Sequence, residues 1–326
     1  MKALVTGGAG FIGSHVVDGY LAEGLQVAVV DDLSRGSRQN LPSAVPFHQA
    51  DIRDRAALEK VFQKEKPDVI NHHAAQMDVR RSVEDPIFDA ECNILASIHL
   101  LGLAVKYKAR RFIYASTGGA IYGEPKVLPA TEETPVLPLA PYGVSKHVVE
   151  HYLDTYNRLY GLPYVVLRYG NVYGPRQGSR GEAGVVAVFC EQMLQNITPT
   201  IYGDGKKTRD YVEVSDVVRA HAKALTRGDG DIFNIASGVQ TTDYEIFSAV
   251  REALGIPPFE PRFASKRPGE VDHILLDVSK ARAKLDWQPQ VNLREGIKRT
   301  AEWFRERFQK AQAVSGPAKR SANAEA

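Results

Sequence analysis

The stretch Thr6-Gly7-Gly8-Ala9-Gly10-Phe11-Ile12-Gly13 decides the fold of this 326-residue chain. It follows a short apolar run, Ala3 to Thr6, that predicts a strand, and it opens a helical pattern. Gly7 permits a tight turn, Gly10 lets the backbone approach a pyrophosphate, and Gly13 lets the helix pack closely on the strand. The free N–H groups at the start of such a helix suit phosphate oxygens. The stretch therefore predicts a dinucleotide-binding turn.

An acid follows this turn at the distance that a dinucleotide site requires. The second predicted strand, Gln26 to Asp31, ends in a carboxylate that would accept hydrogen bonds from the adenosine ribose and repel a 2′-phosphate. The sequence thus favours NAD over NADP, although Arg35 lies close enough to receive that phosphate. Asp51-Ile52 follows a third strand, Val45 to Ala50, and either closes the adenine pocket or forms a solvated turn.

Two adjacent histidines end the fourth predicted strand, in His72-His73-Ala74-Ala75. Neighbouring residues of a strand point to opposite faces, so these two imidazoles cannot easily share one ion. No second cluster of acids or histidines lies nearby, and we expect no metal. The small Ala74-Ala75 step instead lets a dinucleotide lie across the strand ends.

A tyrosine and a lysine lie four residues apart in Tyr142-Gly143-Val144-Ser145-Lys146, which opens a helical pattern from Val144 to Leu159. Residues at this spacing share a helix face. A cation beside a phenol lowers its pKa from about 10, which makes Tyr142 a usable general base or acid. The pair recurs by chance on surface helices, so its meaning depends on the dinucleotide turn upstream.

Hydroxyl groups follow the fifth predicted strand, Arg111 to Ser116, in Ser116-Thr117-Gly118-Gly119. The carboxyl ends of strands in such sheets face the ligand crevice. We expect Thr117 to bind and orient the reacting hydroxyl of a substrate. The alternative is that Ser116 and Thr117 only cap the strand end.

Strands alternate with helices over the first half of the chain, which predicts an α/β fold with a Rossmann-type, doubly wound parallel sheet. We expect residues 1–170 to form an NAD-binding domain whose sheet later segments complete. Frequent Pro and Gly predict a smaller C-terminal mixed α/β substrate lobe over residues 171–310, closed by an amphipathic helix at 293–309. Residues 311–326 lack apolar periodicity and predict a disordered tail.

Composition excludes several classes of partner. Lys plus Arg is 41 and Asp plus Glu is 39, a net charge of +2 that gives no reason to expect nucleic acid or a membrane surface. The N-terminus shows no leader pattern, and no apolar run approaches the roughly 18 residues of a membrane span. Cys92 and Cys190 predict reduced core thiols. We expect a cytoplasmic protein.

Taken together, these motifs resemble the extended short-chain dehydrogenase/reductase family over residues 2 to about 308. Besides the segments above, the resemblance includes Leu167 to Pro175, Arg209-Asp210-Tyr211 and Arg267-Pro268-Gly269-Glu270. It implies NAD as cofactor and a UDP-sugar as substrate. One departure concerns the serine that many relatives carry four residues before Tyr122, where this chain has Gly118, so the resemblance leaves the catalytic hydroxyl to Thr117 or Ser116.

The resemblance also assigns residues. Tyr142, Lys146 and Thr117 are catalytic, and Gln76, Asn93 and Tyr169 line the nicotinamide half of the cofactor site. The full set of implied cofactor contacts is Gly7, Gly10, Phe11, Ile12, Gly13, Asp31, Asp32, Ser34, Arg35, Gly36, Asp51, Ile52, His73, Ala74, Ala75, Gln76, Asn93, Ser116, Tyr142, Lys146 and Tyr169. The implied substrate contacts are Thr117, Tyr142, Asn171, Val185, Tyr202, Arg209, Arg267 and Glu270.

The implied reaction is epimerisation at carbon 4 of a UDP-hexose, between the gluco and galacto forms. The sugar is oxidised transiently, the 4-keto intermediate rotates, and the hydrogen returns to the opposite face. Related dehydratases place Asp-Glu where this chain has Gly118-Gly119, and related decarboxylases place Glu where it has Ala120. UDP-N-acetylglucosamine, UDP-glucuronate and UDP-xylose stay open as substrates because Ile274 is of intermediate bulk, and a non-catalytic nucleotide-sugar sensor is a further alternative.

Family analogy also predicts a homodimer. Helical patterns at Asp89 to Tyr107 and Tyr142 to Leu159 would pair with their counterparts in a four-helix contact.

Overall fold

The fold is built on a seven-stranded parallel sheet with helices on both faces, in a computed structural model that describes residues 1–178, 184–266 and 271–315. The strand order is β10-β6-β5-β4-β1-β2-β3, and every neighbouring pair is parallel. Its strands are β1 (Lys2–Thr6), β2 (Gln26–Asp31), β3 (Phe47–Gln49), β4 (Val69–His72), β5 (Arg111–Thr117), β6 (Tyr164–Tyr169) and β10 (Asp231–Ile235). The predicted α/β class with a doubly wound parallel sheet is confirmed.

Two small sheets form the second lobe. The first is mixed and has the order β11-β9-β7, and the second pairs β12 with β8 in parallel. Their strands are β7 (Asn171–Tyr173), β8 (Thr200–Tyr202), β9 (Thr208–Glu213), β11 (Gln240–Thr242) and β12 (Arg262–Ala264).

Eleven α-helices connect and cover these sheets in the described residues. They are α1 (Phe11–Ala22), α2 (Arg55–Glu65), α3 (Val79–Glu84), α4 (Pro86–Ala90), α5 (Ala96–Lys106), α6 (Gly118–Ile121), α7 (Pro141–Tyr160), α8 (Val185–Leu194), α9 (Val214–Ala224), α10 (Asp243–Ala253) and α11 (Leu293–Ser315). A short 3₁₀ turn spans Arg38–Asn40, and π-helical turns span Glu91–Leu95 and Ala281–Leu285.

Apolar residues of the sheet strands point alternately to two cores. One core packs under α1 and α9, which approach so closely that a Cβ on Gly19 would lie 2.4 Å from a methyl of Val218. The other packs under α2, α5 and α7, around Leu58, Phe112 and Val149. A third core holds α8, α10 and α11 together in the second lobe. The strands are therefore buried on both faces, as a parallel sheet requires.

Several element bounds differ from the sequence predictions. β3 begins at Phe47 rather than Val45. α7 begins at Pro141 rather than Val144, because proline suits the first helical position, where its missing N–H costs nothing. α11 continues to Ser315, so residues 311–315 are helical instead of part of the predicted tail; Ala and Gln are good helix formers. Residues 316–326 of that tail lie outside the described residues. β10 follows residue 170 and is one of the later segments that complete the first sheet.

One helical run of the chain has a strongly apolar composition. Pro86–Lys106, formed by α4, the first π turn and α5, is long and apolar enough to cross a membrane by length and composition alone. Half of its most apolar 18-residue window is buried inside the fold.

Candidate active site

The glycine turn joins β1 to α1 in the conformation that the motif predicts. Gly7 has φ +67°, and a Cβ there would lie 2.6 Å from the amide nitrogen of Ala74. A Cβ on Gly13 would lie 2.2 Å from the Gly7 carbonyl oxygen. Among the described residues no side chain caps α1, whose N-cap is Gly10. The turn thus leaves helix N–H groups and a side-chain-free surface for a phosphate ligand.

Asp31 lies at the end of β2, directly beside this turn. Its carboxylate accepts hydrogen bonds from the Ala9 N–H at 2.9 Å and the Leu33 N–H at 2.8 Å. Burial raises the pKa of Asp31, and these two backbone donors oppose the rise. The carboxylate is therefore held in place by the turn, and its remaining lone pairs could accept ribose hydroxyls.

The loop after β2 packs over the same turn. Asp32 accepts hydrogen bonds from the Ser34 backbone and hydroxyl, and a Cβ on Gly36 would lie 2.8 Å from the Ala9 carbonyl carbon. Arg35 is exposed and its guanidinium lies 3.4 Å from the Asp78 carboxylate. Asn40, which no motif singles out, donates to the Ala9 carbonyl at 2.9 Å.

The adjacent residues Asp51 and Ile52, which follow β3, have different surroundings. The Asp51 carboxylate pairs with the Arg53 guanidinium at 2.6 Å, and that hydrogen bond lowers the pKa of Asp51. Ile52 is buried in the core under α2 and α5. Asp51 is thus an ion-paired turn residue, and its side chain is only partly exposed.

The two histidines at the end of β4 point in different directions, as alternation requires. His72 is buried between the hydroxyls of Thr6 (2.7 Å) and Ser97 (2.9 Å). His73 instead packs against the ring of His221, and its Nε2 is buried with no hydrogen-bond partner among the described residues. Burial lowers the pKa of His73 to about 3, so the ring is neutral near neutrality. Within the described ranges no three His, Cys, Asp or Glu side chains cluster as metal ligands would.

Tyr142, Thr117 and Lys146 meet at the carboxyl end of β5. The Thr117 side chain lies close enough to the Tyr142 phenol to lower its pKa, and the Tyr142 backbone N–H donates to the Ser82 hydroxyl at 3.1 Å. Lys146 is buried one helical turn further along α7, with its ammonium 4.2 Å from the centre of the Tyr114 ring. The predicted side-by-side placement on one helix face therefore occurs.

The electrostatics of this pair differ from the sequence prediction that Lys146 lowers the pKa of Tyr142. Burial raises the pKa of Tyr142 to about 12, and the charge of Asp89 adds to the rise. Burial also lowers the pKa of Lys146 to about 7, against the charges of Glu150 and Asp89. The prediction is wrong for the protein without ligands, because desolvation opposes the charged form of both groups.

Ser116 serves a different partner from Thr117. Its hydroxyl donates to Glu150 at 2.6 Å, and Glu150 also pairs with the buried Arg168 guanidinium through two of its nitrogens. Burial would raise the pKa of Glu150, but hydrogen bonds from His147, Arg168 and Ser116 together hold it at about 2. The Ser116 hydroxyl is therefore bound to a structural ion pair.

Three further residues that the resemblance assigns to the nicotinamide half are held by hydrogen bonds. Asn93 accepts from the Gln76 N–H at 2.9 Å and donates to the Gln76 carbonyl at 2.9 Å. Tyr169 forms a short hydrogen bond with His221 Nε2. Asn71 donates to the other ring nitrogen of His221, so neutral His221 carries its proton on Nε2 and donates it to Tyr169.

Apart from Thr117 and Tyr142, the implied substrate contacts belong to the predicted second lobe. Asn171 begins β7, and its Oδ1 lies 3.4 Å from where a Cβ on Gly119 would stand. Val185 is the first residue of α8, and Tyr202 is the last of β8. Arg209 lies in β9, where its guanidinium donates to the carbonyls of Thr208 and Asp272. Arg267 and Glu270 lie outside the described residues.

The site also contains residues that sequence reasoning missed. Glu150 lies four residues after Lys146 and Asp89 four before Asn93, so helical spacing alone could have placed both beside assigned residues. Ser82 and His221 carry no such signal, because their partners are far away in sequence.

The described residues fit an NAD cofactor. Any side chain in place of the turn glycines would fill the surface that they leave open, and Asp31 is fixed beside that surface. The buried Nε2 of His73 has no hydrogen-bond partner within the part of the chain that the structure describes. All three lie at the carboxyl ends of β1, β2 and β4, which neighbour one another in the sheet.

Comparison with known proteins gives consistent matches along the chain. Residues 3–236 match the NAD dependent epimerase/dehydratase family. A UDP-glucose 4-epimerase of Mycolicibacterium smegmatis is 46% identical over 315 residues, covering 95% of this chain and 100% of the relative. The crystal structure of a Thermotoga maritima UDP-glucose 4-epimerase with UDP-glucose matches with a TM-score of 0.92 and 48% identity, covering 94% of this chain and 100% of that one. A Thermus thermophilus UDP-glucose 4-epimerase in complex with NAD matches with a TM-score of 0.89 and 46% identity, covering 94% and 99%.

Proposed function

The chain belongs to the NAD dependent epimerase/dehydratase family, and from this premise we propose that it is an NAD-dependent 4-epimerase that interconverts UDP-glucose and UDP-galactose. The observation that carries this proposal is the contact between the Tyr142 phenol and Thr117, one helical turn from Lys146 and at the same sheet edge as the glycine turn. This arrangement can bind a sugar hydroxyl and exchange its proton.

The cofactor would be held by the glycine turn, Asp31 and the end of β4. Bound NAD supplies reversible two-electron oxidation at carbon 4 of the sugar and is regenerated within each turnover. Tyr142 Oη takes the proton of the 4-hydroxyl and returns it after the sugar has turned over. Thr117 orients the same hydroxyl. When the Lys146 amine is protonated, its positive charge favours the ionised form of Tyr142.

The Tyr142 phenol must be ionised before it can take the proton of the 4-hydroxyl, and burial of the phenol opposes this ionisation. The pKa of Tyr142 is about 12 in the protein without ligands. Each unit by which bound charges lower this value makes the phenolate more accessible by about 1.4 kcal/mol. We infer that catalysis requires the charges of bound cofactor and substrate, because a phenol with a pKa of about 12 stays protonated near neutral pH and cannot accept a proton.

The packing around α6 favours epimerisation over dehydration. Related dehydratases need an acid directly after the catalytic threonine. A Cβ at Gly118 would lie 2.5 Å from a methyl of Leu276, which is buried. An acidic side chain at this position would therefore require the buried Leu276 side chain to move.

The diphosphate and uridine of the substrate would lie against the second lobe. Asn171, Val185, Tyr202 and Arg209 are the proposed contacts, together with Arg267 and Glu270. Guanidinium groups suit a diphosphate because their planar donors match its oxygens. UDP-N-acetylglucosamine, UDP-glucuronate and UDP-xylose are alternative substrates, since the buried Ile274 is of intermediate size.

The deciding experiment is incubation of the purified protein with each of these UDP-sugars, followed by separation of the epimers. We expect conversion between UDP-glucose and UDP-galactose without added NAD and without accumulation of NADH. Steady NADH production would indicate a dehydrogenase, and absence of any epimer would favour the nucleotide-sugar sensor.

We further propose a homodimer in the cytoplasm that acts in galactose metabolism. Apolar side chains that are half or more exposed support the dimer: Ile87 and Leu95 on the Pro86–Lys106 run, and Leu159 on α7. Leu95→Glu should give a light-scattering mass of one chain, whereas Val127→Glu, on an exposed loop, should not. Fractionation of cells, and growth on galactose after gene deletion, test the location and the pathway.

A further inference from the structure

Asp89 is a buried carboxylate beside the candidate active site. The residue is 1% exposed and lies in α4, just before the first π turn. Its Oδ1 accepts hydrogen bonds from the side-chain amides of Gln76 and Asn93, each at 3.0 Å. Both donors are neutral, so neither cancels the charge of the carboxylate.

Asn93 connects this carboxylate to the helix that carries Tyr142. Its amide nitrogen lies 3.1 Å from the Ser145 hydroxyl, and Ser145 donates to the Tyr142 carbonyl at 3.0 Å. The two amide hydrogens are shared among Asp89, Ser145 and the Gln76 carbonyl. Two side chains thus link Asp89 to the first turn of α7. A shift of Asp89 would be transmitted to Tyr142 through hydrogen bonds within a packed interior.

Glu150 raises the pKa of Lys146 more than Asp89 does, whereas the carboxylate that raises the pKa of Tyr142 is Asp89. Glu150 on α7 is paired with Arg168, and His72 and His73 from β4 are neutral because burial lowers the pKa of each. Tyr114 and Tyr169 from β5 and β6 have pKa values well above 10 because of burial. Asp89 raises the pKa of both Tyr142 and Lys146.

Resting on the epimerase function proposed above, we propose that Asp89 is a positioning residue: its carboxylate fixes Gln76 and Asn93 against the first turn of α7 and supplies a fixed negative charge to the Tyr142–Lys146 pair. The charge and the hydrogen-bond chain act together, so the position and the protonation of the pair depend on one side chain.

The test is the pH profile of kcat for Asp89→Asn, which keeps the size and the acceptor oxygen but removes the charge. Because Asp89 raises the pKa of both groups, its neutralisation should move both limbs of the profile to lower pH, by roughly 0.5–1 unit. Glu84→Gln removes a charge from the exposed end of α3 and should leave the profile in place. A lower kcat with unmoved limbs would assign Asp89 a merely structural role and overturn the proposal.

A second readout does not depend on activity. Lysine-specific isotope labelling allows the buried Lys146 ammonium to be followed by NMR in the protein without substrate, with Lys146→Met to assign the signal. We expect a midpoint near pH 7 in the wild type and a lower one in Asp89→Asn. Equal midpoints would overturn the proposal. A shifted midpoint in a protein that epimerises no UDP-sugar would refute the proposed function but not the charge effect of Asp89. Asp89→Ser, which leaves room for a water molecule, replaces Asp89→Asn if the latter does not fold.

Discussion

The Ser116 hydroxyl donates a hydrogen bond to the buried carboxylate of Glu150, 34 residues later in the chain. Thr117, the next residue of β5, instead meets the Tyr142 phenol. Alternation along a strand sends adjacent side chains to opposite sides, so the two neighbouring hydroxyls have different partners. This arrangement favours Thr117 over Ser116 as the hydroxyl that touches the substrate.

Replacing these two hydroxyls should therefore have different effects. We expect Thr117→Val to lower kcat about 10- to 100-fold, because the reacting hydroxyl loses its orienting partner, with a smaller change in KM. Ser116→Ala should retain most of the activity but lose about 2 kcal/mol of stability, because buried Glu150 loses a donor. Steady-state kinetics and urea unfolding of both variants measure this. Equal loss of kcat in the two variants would contradict the assignment.

Tyr142→Phe should remove activity while preserving the fold. The ring packing stays, whereas the group that exchanges the proton is lost, so we expect kcat to fall by about 10³ or more. Tyr152→Phe, on the exposed face of the same helix, is the matched control and should behave as wild type. Activity with UDP-galactose and the circular dichroism spectrum are the measurements. A Tyr142→Phe protein as active as the control would refute the catalytic role of this residue.

The sequence predicts the cofactor half of this site better than the proton-transfer half. The glycine turn, Asp31 and the strand ends are local features whose conformations follow from short-range rules, such as the positive φ of Gly7. The pKa values of Tyr142 and Lys146 depend instead on burial and on Asp89, which lies 53 residues before Tyr142 in the chain. Spacing places Lys146 beside Tyr142, but only packing shows that its ammonium lies over Tyr114 and is desolvated.

Strand pairing in the second lobe likewise depends on contacts between segments that are distant in the chain. Its strands are three to six residues long and pair in two small sheets, so their apolar patterns are too short to fix the pairing. β10 of the first sheet shows the same dependence on distant segments: its five residues pair with β6, although β7, β8, β9, α8 and α9 lie between them in the chain. Long-range contacts of this kind are decided by the whole core.

Purified protein should carry NAD, and Gly13→Ala should lose it. The added methyl would meet the Gly7 carbonyl at 2.2 Å, which the turn can relieve only by moving backbone that would approach the pyrophosphate. We expect little NAD in an acid extract of this variant and a loss of about 2 kcal/mol of stability from overpacking. Gly102→Ala in α5 meets no atom within 4 Å and should keep its NAD and gain roughly 0.5–1 kcal/mol. Full NAD content in Gly13→Ala would show that the turn does not bind the cofactor.

The Glu150–Arg168 pair should make stability sensitive to acid. The folded-state pKa of Glu150, about 2, lies below its ordinary value of 4.5. A lowered folded pKa contributes stability that is present above the unfolded pKa and is lost as the pH falls from about 4.5 toward 2. Urea unfolding midpoints should therefore drop over this window more steeply in the wild type than in Glu150→Gln.

The Glu150→Gln variant itself should be destabilised by about 3 kcal/mol at neutral pH, because Arg168 keeps its charge in the core without a carboxylate partner. Glu306→Gln on α11, which leaves the pair intact, serves as the charge-matched control. Parallel pH curves for the wild type and Glu150→Gln would mean that this ion pair does not govern acid unfolding.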